Sequence, residues 1–527
     1  MNEPIYSETP ESIDMNLEWK GFEGPSSEYT GRPYGILHDA VFDLYDYLIS
    51  AGAAFLIAVF FFFTSPECRF WGILPLWVCG TLAGSDLAAW FRNRLEVFDP
   101  KVLAGAFLYL TTFVAPLLHL ANDMYGLDLY TLSWPRAFAR MAVVNAFGLG
   151  IYKWVQHKIY RKISPVKSHW QIDPGHFLIW AVPVLCVSFA AAMVIRFFFS
   201  GLVKIEGQTQ ISAEAAGYAV YLSVLRMMGD PFVLLLITFL IVYLNQKMLK
   251  AGGTHCGWVT VLVLLFVTAV LHFIMVGLRG SRSVILTTVL AVTLMIHFNM
   301  RRFSKKWVLL GLVMVVVFLY LYGFRKRADL YGFKAFYDPQ TRKQLSAELG
   351  GYTLTSTLLG DLSRADLQAL MLANLTEYKD EINYKPVWGY TYAMAAAMFV
   401  PRAVWKNKPV GVKKDAGTEL QGLLRGEDKS TRQYGLVGEA MLNFGYWGIL
   451  PVFCVYGVIM GYFRKKLYTI SNTDARLFLF PLIIIMLQNM VIQDMDNWLF
   501  ALLRDGTLLF LLIFISSFKF RVREVLQ

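Results

Sequence analysis

Apolar residues in this chain gather into runs of about 20, the length a helix needs to cross the hydrocarbon core of a bilayer. Charge, Gly or Pro bounds each run. They fall at 44–64, 70–91, 102–121, 136–155, 177–199, 231–248, 257–278, 283–299, 306–323, 439–462, 476–493 and 498–518. This pattern predicts an all-α polytopic integral membrane protein with about twelve spans and one large outer loop. Four segments follow: a tail over 1–35, a bundle of about nine spans over 36–323, the loop over 324–435, and about three spans over 436–527. No repeat of fixed period and no low-complexity tract occurs, which excludes solenoids.

Charge orients the bundle. With the tail cytoplasmic, the inner connections carry Arg92, Arg94 and Lys101, then Lys158, Arg161, Lys162 and Lys167, then Lys247 and Lys250. Further on they carry Arg301, Arg302, Lys305 and Lys306, then Arg464, Lys465 and Lys466, and lastly Lys519, Arg521 and Arg523. The short outer connections hold few basic residues, among them Arg69, Arg136, Lys204, Arg279 and Arg282. Such a bias places both termini in the cytoplasm. The connection over 324–435 is too long for a simple turn. In it, LSAELGGYTLTSTLLGDLSRADLQALMLANL has helical spacing with Gly breaks, and the ten-residue TYAMAAAMFV is too short to span, so a re-entrant or interfacial helix is expected there.

Composition narrows the classes. Of 527 residues, 56% are hydrophobic and only 17% charged, and the mean hydropathy is +0.47, which excludes soluble enzymes, DNA-binding modules and disulfide scaffolds. The net charge of +11 belongs to the cytoplasmic surface and implies no nucleic acid. Cys68, Cys79, Cys186, Cys256 and Cys454 are scattered without a C-x-x-C pair, so packing is their expected role. The first 35 residues, with Glu3, Glu8, Glu11, Asp14, Glu18, Glu23 and Glu28 against Lys20 and Arg32, read as an acidic, mostly disordered tail and not as a cleavable signal peptide.

Four clusters carry candidate chemistry. Gly277-Leu278-Arg279-Gly280-Ser281-Arg282-Ser283 joins two spans at the outer face, and the three-residue spacing of Arg279 and Arg282 suits bidentate grip of a diphosphate at a helix N-terminus. Snorkelling helix anchors are the alternative. Arg402 and Lys408 lie between Pro401 and Pro409, which would fix them near the membrane surface, or they belong to an interfacial belt. Glu439 and Asn443 share a helix face, and a carboxylate at the start of a span is costly unless it works, caps a helix or is paired. Asp494-Met495-Asp496 has the D-x-D form of some metal-dependent glycosyltransferases, but a lone D-x-D in a short outer turn is weak, and no metal site is assigned. His119, His272 and His297 sit in separate spans and are expected to pack.

In combination, R-G-S-R after a span, V-P-R-x-x-W-x-x-K-P late in the loop and G-E-A-x-x-N-F-G-x-x-G opening the next span resemble the Wzy-type polymerases of O-antigen and exopolysaccharide repeat units. The resemblance covers mainly 270–450. It implies a multi-pass enzyme of the bacterial inner membrane with a GT-C-like architecture and a large periplasmic loop. Undecaprenyl diphosphate-linked oligosaccharides would serve as donor and acceptor, with membrane lipid, a chain-length regulator and a flippase as partners and no cofactor. Candidate positions are Arg279, Arg282 and Glu439 for catalysis, and Arg402, Lys408, Asn443, Arg325 and Arg327 for substrate binding. The arginines would stabilise the departing diphosphate and Glu439 would take the acceptor proton. Loop aromatics Tyr331, Phe333, Tyr337, Tyr352, Tyr384, Trp388, Tyr390 and Tyr392 offer faces for sugar stacking or for packing. An O-antigen ligase shares this donor and layout. A lipid-linked oligosaccharide flippase or other transporter would instead concentrate charge in a central cavity.

Overall fold

A computed structural model describes residues 44–125, 133–162, 164, 169–198, 221, 224–250, 257–275, 282–348, 353–400, 405, 412–422, 433–471 and 474–517. Among them every regular element is a helix. The helices used below are α1 (Leu44–Thr64), α2 (Ile73–Phe91), α3 (Pro100–Asn122), α4 (Trp134–Lys162), α5 (Pro174–Phe198), α6 (Phe232–Lys250), α7 (Trp258–Met275), α8 (Arg282–Asn299) and α9 (Lys305–Ala328). In the loop stand α10 (Pro339–Glu348), α11 (Ala365–Thr376), α12 (Tyr390–Ala396) and α13 (Val412–Leu420), followed by α14 (Gly435–Phe444), α15 (Ile449–Thr469), α16 (Phe480–Ile492) and α17 (Met495–Ser516).

Within the described residues a helix occupies each of the twelve apolar runs, and nine helices there are long and apolar enough to cross a membrane. Helices α4, α8 and α16 fall outside that set, α8 because its apolar stretch is confined to Val284–Asn299. In α4 the charges of Arg136, Arg140, Lys153, Lys158, Arg161 and Lys162 dilute the apolar content. Helix α16 has only 13 residues but buries eleven of them. A helix apolar all round belongs inside a protein, and α16 accordingly contributes Leu482, Ile484 and Ile485 to one core and Leu487, Met490 and Val491 to another. The run predicted at 439–462 is broken: Gly445 takes φ +63 and a short 3₁₀ turn separates α14 from α15. Left-handed backbone favours glycine there. In α3 the helix widens into a π turn over Leu110–Val114 just before Pro116, whose missing N–H cannot continue the ladder.

Close packing relies on small residues. On α15, a Cβ at Gly457 would lie 2.9 Å from the Tyr152 carbonyl oxygen and one at Gly461 2.7 Å from that of Gln156, so a G-x-x-x-G edge seats this helix on α4. Helix α1 buries Ser50, Ala54 and Ala58, against Gly80 and Gly84 of α2.

Polar contacts define two ends of the bundle. At one, Asp46 accepts from Arg92 and Arg94, Asp86 pairs with Lys101 and the buried Lys153, Asp99 with Arg464, and Asp474 with Arg476. Glu96 meets His297 there, and Lys305 donates to the Trp90 carbonyl. These are the connections predicted to be inner. At the other end, His119 approaches Ser363 and Asp366, Arg140 pairs with Glu377, and Arg364 donates to the Ile492 carbonyl. Residues 363–377 of the loop therefore sit where α3 ends and α4 begins, while α10 packs on the end of α9. TYAMAAAMFV forms a seven-residue α12 and one 3₁₀ turn, and α12 packs on α17.

Candidate functional site

Three helix N-termini at the loop-bearing end converge on Glu439, Asn443 and Asp494. Residues 439 and 443 project from one face of α14, as their spacing predicts. The Glu439 side chain is 3% exposed. Its Oε1 accepts the Thr391 hydroxyl at 2.9 Å and its Oε2 the Met495 amide at 2.6 Å. Met495 opens α17, so Glu439 satisfies a first-turn N–H of a neighbouring helix and not of its own. Asp494 returns the arrangement: its Oδ1 accepts the Tyr434 and Gly435 amides at 2.7 and 2.9 Å, at the start of α14. Two helices thus cap each other through a carboxylate apiece.

Asn443 locks the third element. Its Nδ2 donates to Thr391 Oγ1 at 2.6 Å and to the Glu439 carbonyl at 2.8 Å, while its Oδ1 accepts the Thr391 amide at 3.1 Å. Main-chain bonds from Val387 and Trp388 to the Leu442 and Asn443 carbonyls, and one from the Tyr384 hydroxyl to Leu442, hold residues 384–391 along α14. Gly435 has φ +67, and a Cβ there would come 2.6 Å from the Val491 carbonyl. Only glycine lets α14 start so close to the end of α16.

Toward solvent, the Lys413 ammonium lies between the two carboxylates of the D-x-D: 3.0 Å from Asp494 Oδ2 and 2.6 Å from both Asp496 oxygens. Exposure of the side chains grades outward, 1% for Asp494, 22% for Lys413 and 37% for Asp496. Burial works against the Lys413 charge, but Asp494 and Asp496 outweigh it and hold the ammonium above the ordinary lysine range. For Asp494, burial pushes the carboxyl up while Lys413 opposes. Burial first and Glu439 second raise the Tyr392 phenol.

The structure brings Glu439 and Asn443 together, with the backbones of three arginines at the same end of the bundle. Arg282 begins α8, whose far end bonds Asn245 and Glu96 at the other pole. Arg325 and Arg327 lie in the last turn of α9. Arg279, Arg402 and Lys408 lie outside the described residues, as do Tyr352 and Cys256. Of the loop aromatics, Tyr384 packs inward, whereas Trp388 is 80% exposed and takes φ +49, a left-handed conformation that costs a non-glycine residue about 1–2 kcal/mol. His119, His272 and His297 are buried, His119 near Ser363 and Asp366, His272 near Thr288 and His297 near Glu96.

Several polar residues escaped the sequence reading. Thr391, Lys413 and the Met495 amide join the cluster from positions 48 to 83 residues away along the chain, and nothing local marks them. A visible signal did exist for others. Arg504 and Asp505 interrupt an apolar run at mid-helix and form a two-bond pair of 2.7 and 2.8 Å, with Arg504 3.9 Å from Asp230; Asp86 and Lys153 also break apolar runs, in α2 and α4, and pair. Charges at such depth mark function or a fully paired contact. No protein-family model, curated protein or solved structure matches this chain.

Proposed function

We propose that this chain is a membrane glycosyltransferase that polymerises undecaprenyl diphosphate-linked oligosaccharide repeats, with the loop-bearing end of the bundle facing the periplasm. The observation that carries the reading is the enclosed carboxylate Glu439, held by groups from α12 and α17 where the loop meets the bundle. In the reaction an acceptor hydroxyl attacks the anomeric carbon of the donor glycan. A C–O bond forms, the bond to the diphosphate breaks with its electron pair, and the hydroxyl proton passes to a base. Glu439 is that base. A carboxylate offers about four lone-pair sites, and the Thr391 and Met495 bonds occupy two. Arg279 and Arg282 stabilise the leaving diphosphate, while Arg402, Lys408, Arg325 and Arg327 hold the substrates. The exposed Trp388, kept in its strained backbone by the Asn443 carbonyl, presents a ring for sugar stacking.

The test uses purified enzyme and lipid-linked repeats, with products resolved as a ladder. Glu439→Gln keeps the size of the side chain and should lower the rate about 10²–10⁴-fold. Gene deletion separates the rival activities: single repeats accumulate outside for a polymerase, long chains for a ligase, and inward-facing repeats for a flippase. An undiminished ladder from Glu439→Gln removes Glu439 from the chemistry and leaves it a helix cap.

A further inference from the structure

A groove of about 540 Å³ opens beside this cluster, between α4, α15 and α11, and its walls are almost wholly apolar. Leu372, Leu450, Trp71 and Trp447 line it, and Arg140 is its charged lining residue. Both tryptophans are exposed at the rim. Arg140 stands six residues into α4, about 9 Å from the helix end. One turn further out on the same face is the exposed Arg136. Both defy the charge bias of the chain.

We propose that this groove seats the proximal isoprenoid units of the acceptor's polyprenyl diphosphate, with its phosphates at Arg140 and Arg136. The inference rests on the glycosyltransferase reading and locates the lipid end of its substrate. The volume falls within the range of about 300–1,000 Å³ typical of small-molecule sites, enough for the first units of a chain whose remainder continues into lipid. Arg140 pairs with Glu377 through Nη1; a guanidinium has five donors in a planar fork, so it can keep Glu377 on one edge and bind phosphate oxygens on the other. Groove and cluster share two elements. Helix α11 gives Leu372 to the groove and Gln368 to the Tyr434 carbonyl, and Tyr446 of the groove follows Asn443 by three residues. A lipid lying here carries its sugar toward Asn443 and Glu439.

Wild-type protein in phosphatidylcholine nanodiscs, irradiated with a diazirine-bearing polyprenyl diphosphate, should form adducts within 140–144 and 446–450. Unlabelled polyprenyl diphosphate should displace the probe, while equal amounts of polyprenol or phosphatidylglycerol should not. Arg140→Gln should weaken labelling at least about tenfold, and Val144→Trp, which fills the groove from its wall, should abolish it. Adducts mapping elsewhere, or equal displacement by phosphatidylglycerol, overturn the proposal. Polymer formation is scored in parallel. Groove labelling without polymer discards the catalytic reading and keeps the lipid seat; polymer without groove labelling discards the seat alone.

Discussion

Replacing Lys413 by Met should destabilise the protein far more than replacing Asp496 by Asn, although Lys413 binds both oxygens of Asp496 at shorter distance. The difference lies in burial. Asp494 is 1% exposed and Asp496 37%. Removing one partner of a buried ion pair strands a charge and costs about 3–5 kcal/mol. The Tyr434 and Gly435 amides still serve Asp494, which sets the expectation for Lys413→Met at the lower end, about 3 kcal/mol. A half-exposed pair is worth about 0–1 kcal/mol, so Asp496→Asn should change little. Asp494→Asn retains the oxygen that accepts both amides and removes the charge. The double variant Lys413→Met/Asp494→Asn should therefore recover about 2 kcal/mol relative to the sum of the single losses. Unfolding in mixed micelles of rising SDS fraction, followed by tryptophan fluorescence, gives the four corners of the cycle. The sign of the pH effect follows from the raised Lys413 pKa: its stabilisation is fully present below the ordinary lysine value of about 10.4 and fades only as pH rises past the folded value. The gap between wild type and Lys413→Met should stay constant from about pH 7 to 9. Equal losses for Lys413→Met and Asp496→Asn, or no recovery in the double variant, would refute the buried-pair argument.

Arg282→Lys and Arg279→Lys keep charge but lose the planar fork, so each should slow polymerisation about 10²–10³-fold at matched enzyme level; near-normal rates in both would move the diphosphate role to Arg402 and Lys408. Lys343, exposed on α10, should react as Lys343→Cys with an impermeant maleimide in outer-permeabilised cells, and labelling only after inner-membrane rupture would invert the topology. The native Cys68 should stay silent in that assay near neutral pH, because burial, reinforced by Glu67, raises its thiol to about 11 and the thiolate is the reactive form.

Helix positions were legible because lipid imposes a simple demand: about 20 apolar residues with every backbone group bonded internally. That demand is blind to neighbours. Helix α16 reads as a span by composition, yet it has 13 residues and eleven of them are buried within the protein. Gly445 and Gly448 were plain in the sequence, but only packing shows that the chain turns there, with Gly448 pressed against the Ala440 carbonyl. The site was half legible for the same reason. The Glu439 to Asn443 spacing is local and fixes a shared face. Which groups meet that face is decided by contacts tens of residues apart, so the reciprocal caps of α14 and α17 and the ammonium within the D-x-D had no signature. Asp86, Lys153, Arg504 and Asp505 stood in open view within apolar runs, and their buried pairings give those positions their sense.

The cations at the pole predicted to be inner lead two lives. During insertion Arg92, Arg94, Lys101, Arg464 and Arg476 are unmatched charges that resist transfer across the membrane and so set orientation. Once the bundle closes, they answer to Asp46, Asp86, Asp99 and Asp474 within the protein. Lys158, Lys162, Lys247, Lys465 and Lys466 of the same pole have no part in those pairs, so the closed bundle keeps a cationic face. Folding thus divides the basic residues of one pole into those held by carboxylates and those left to meet acidic headgroups.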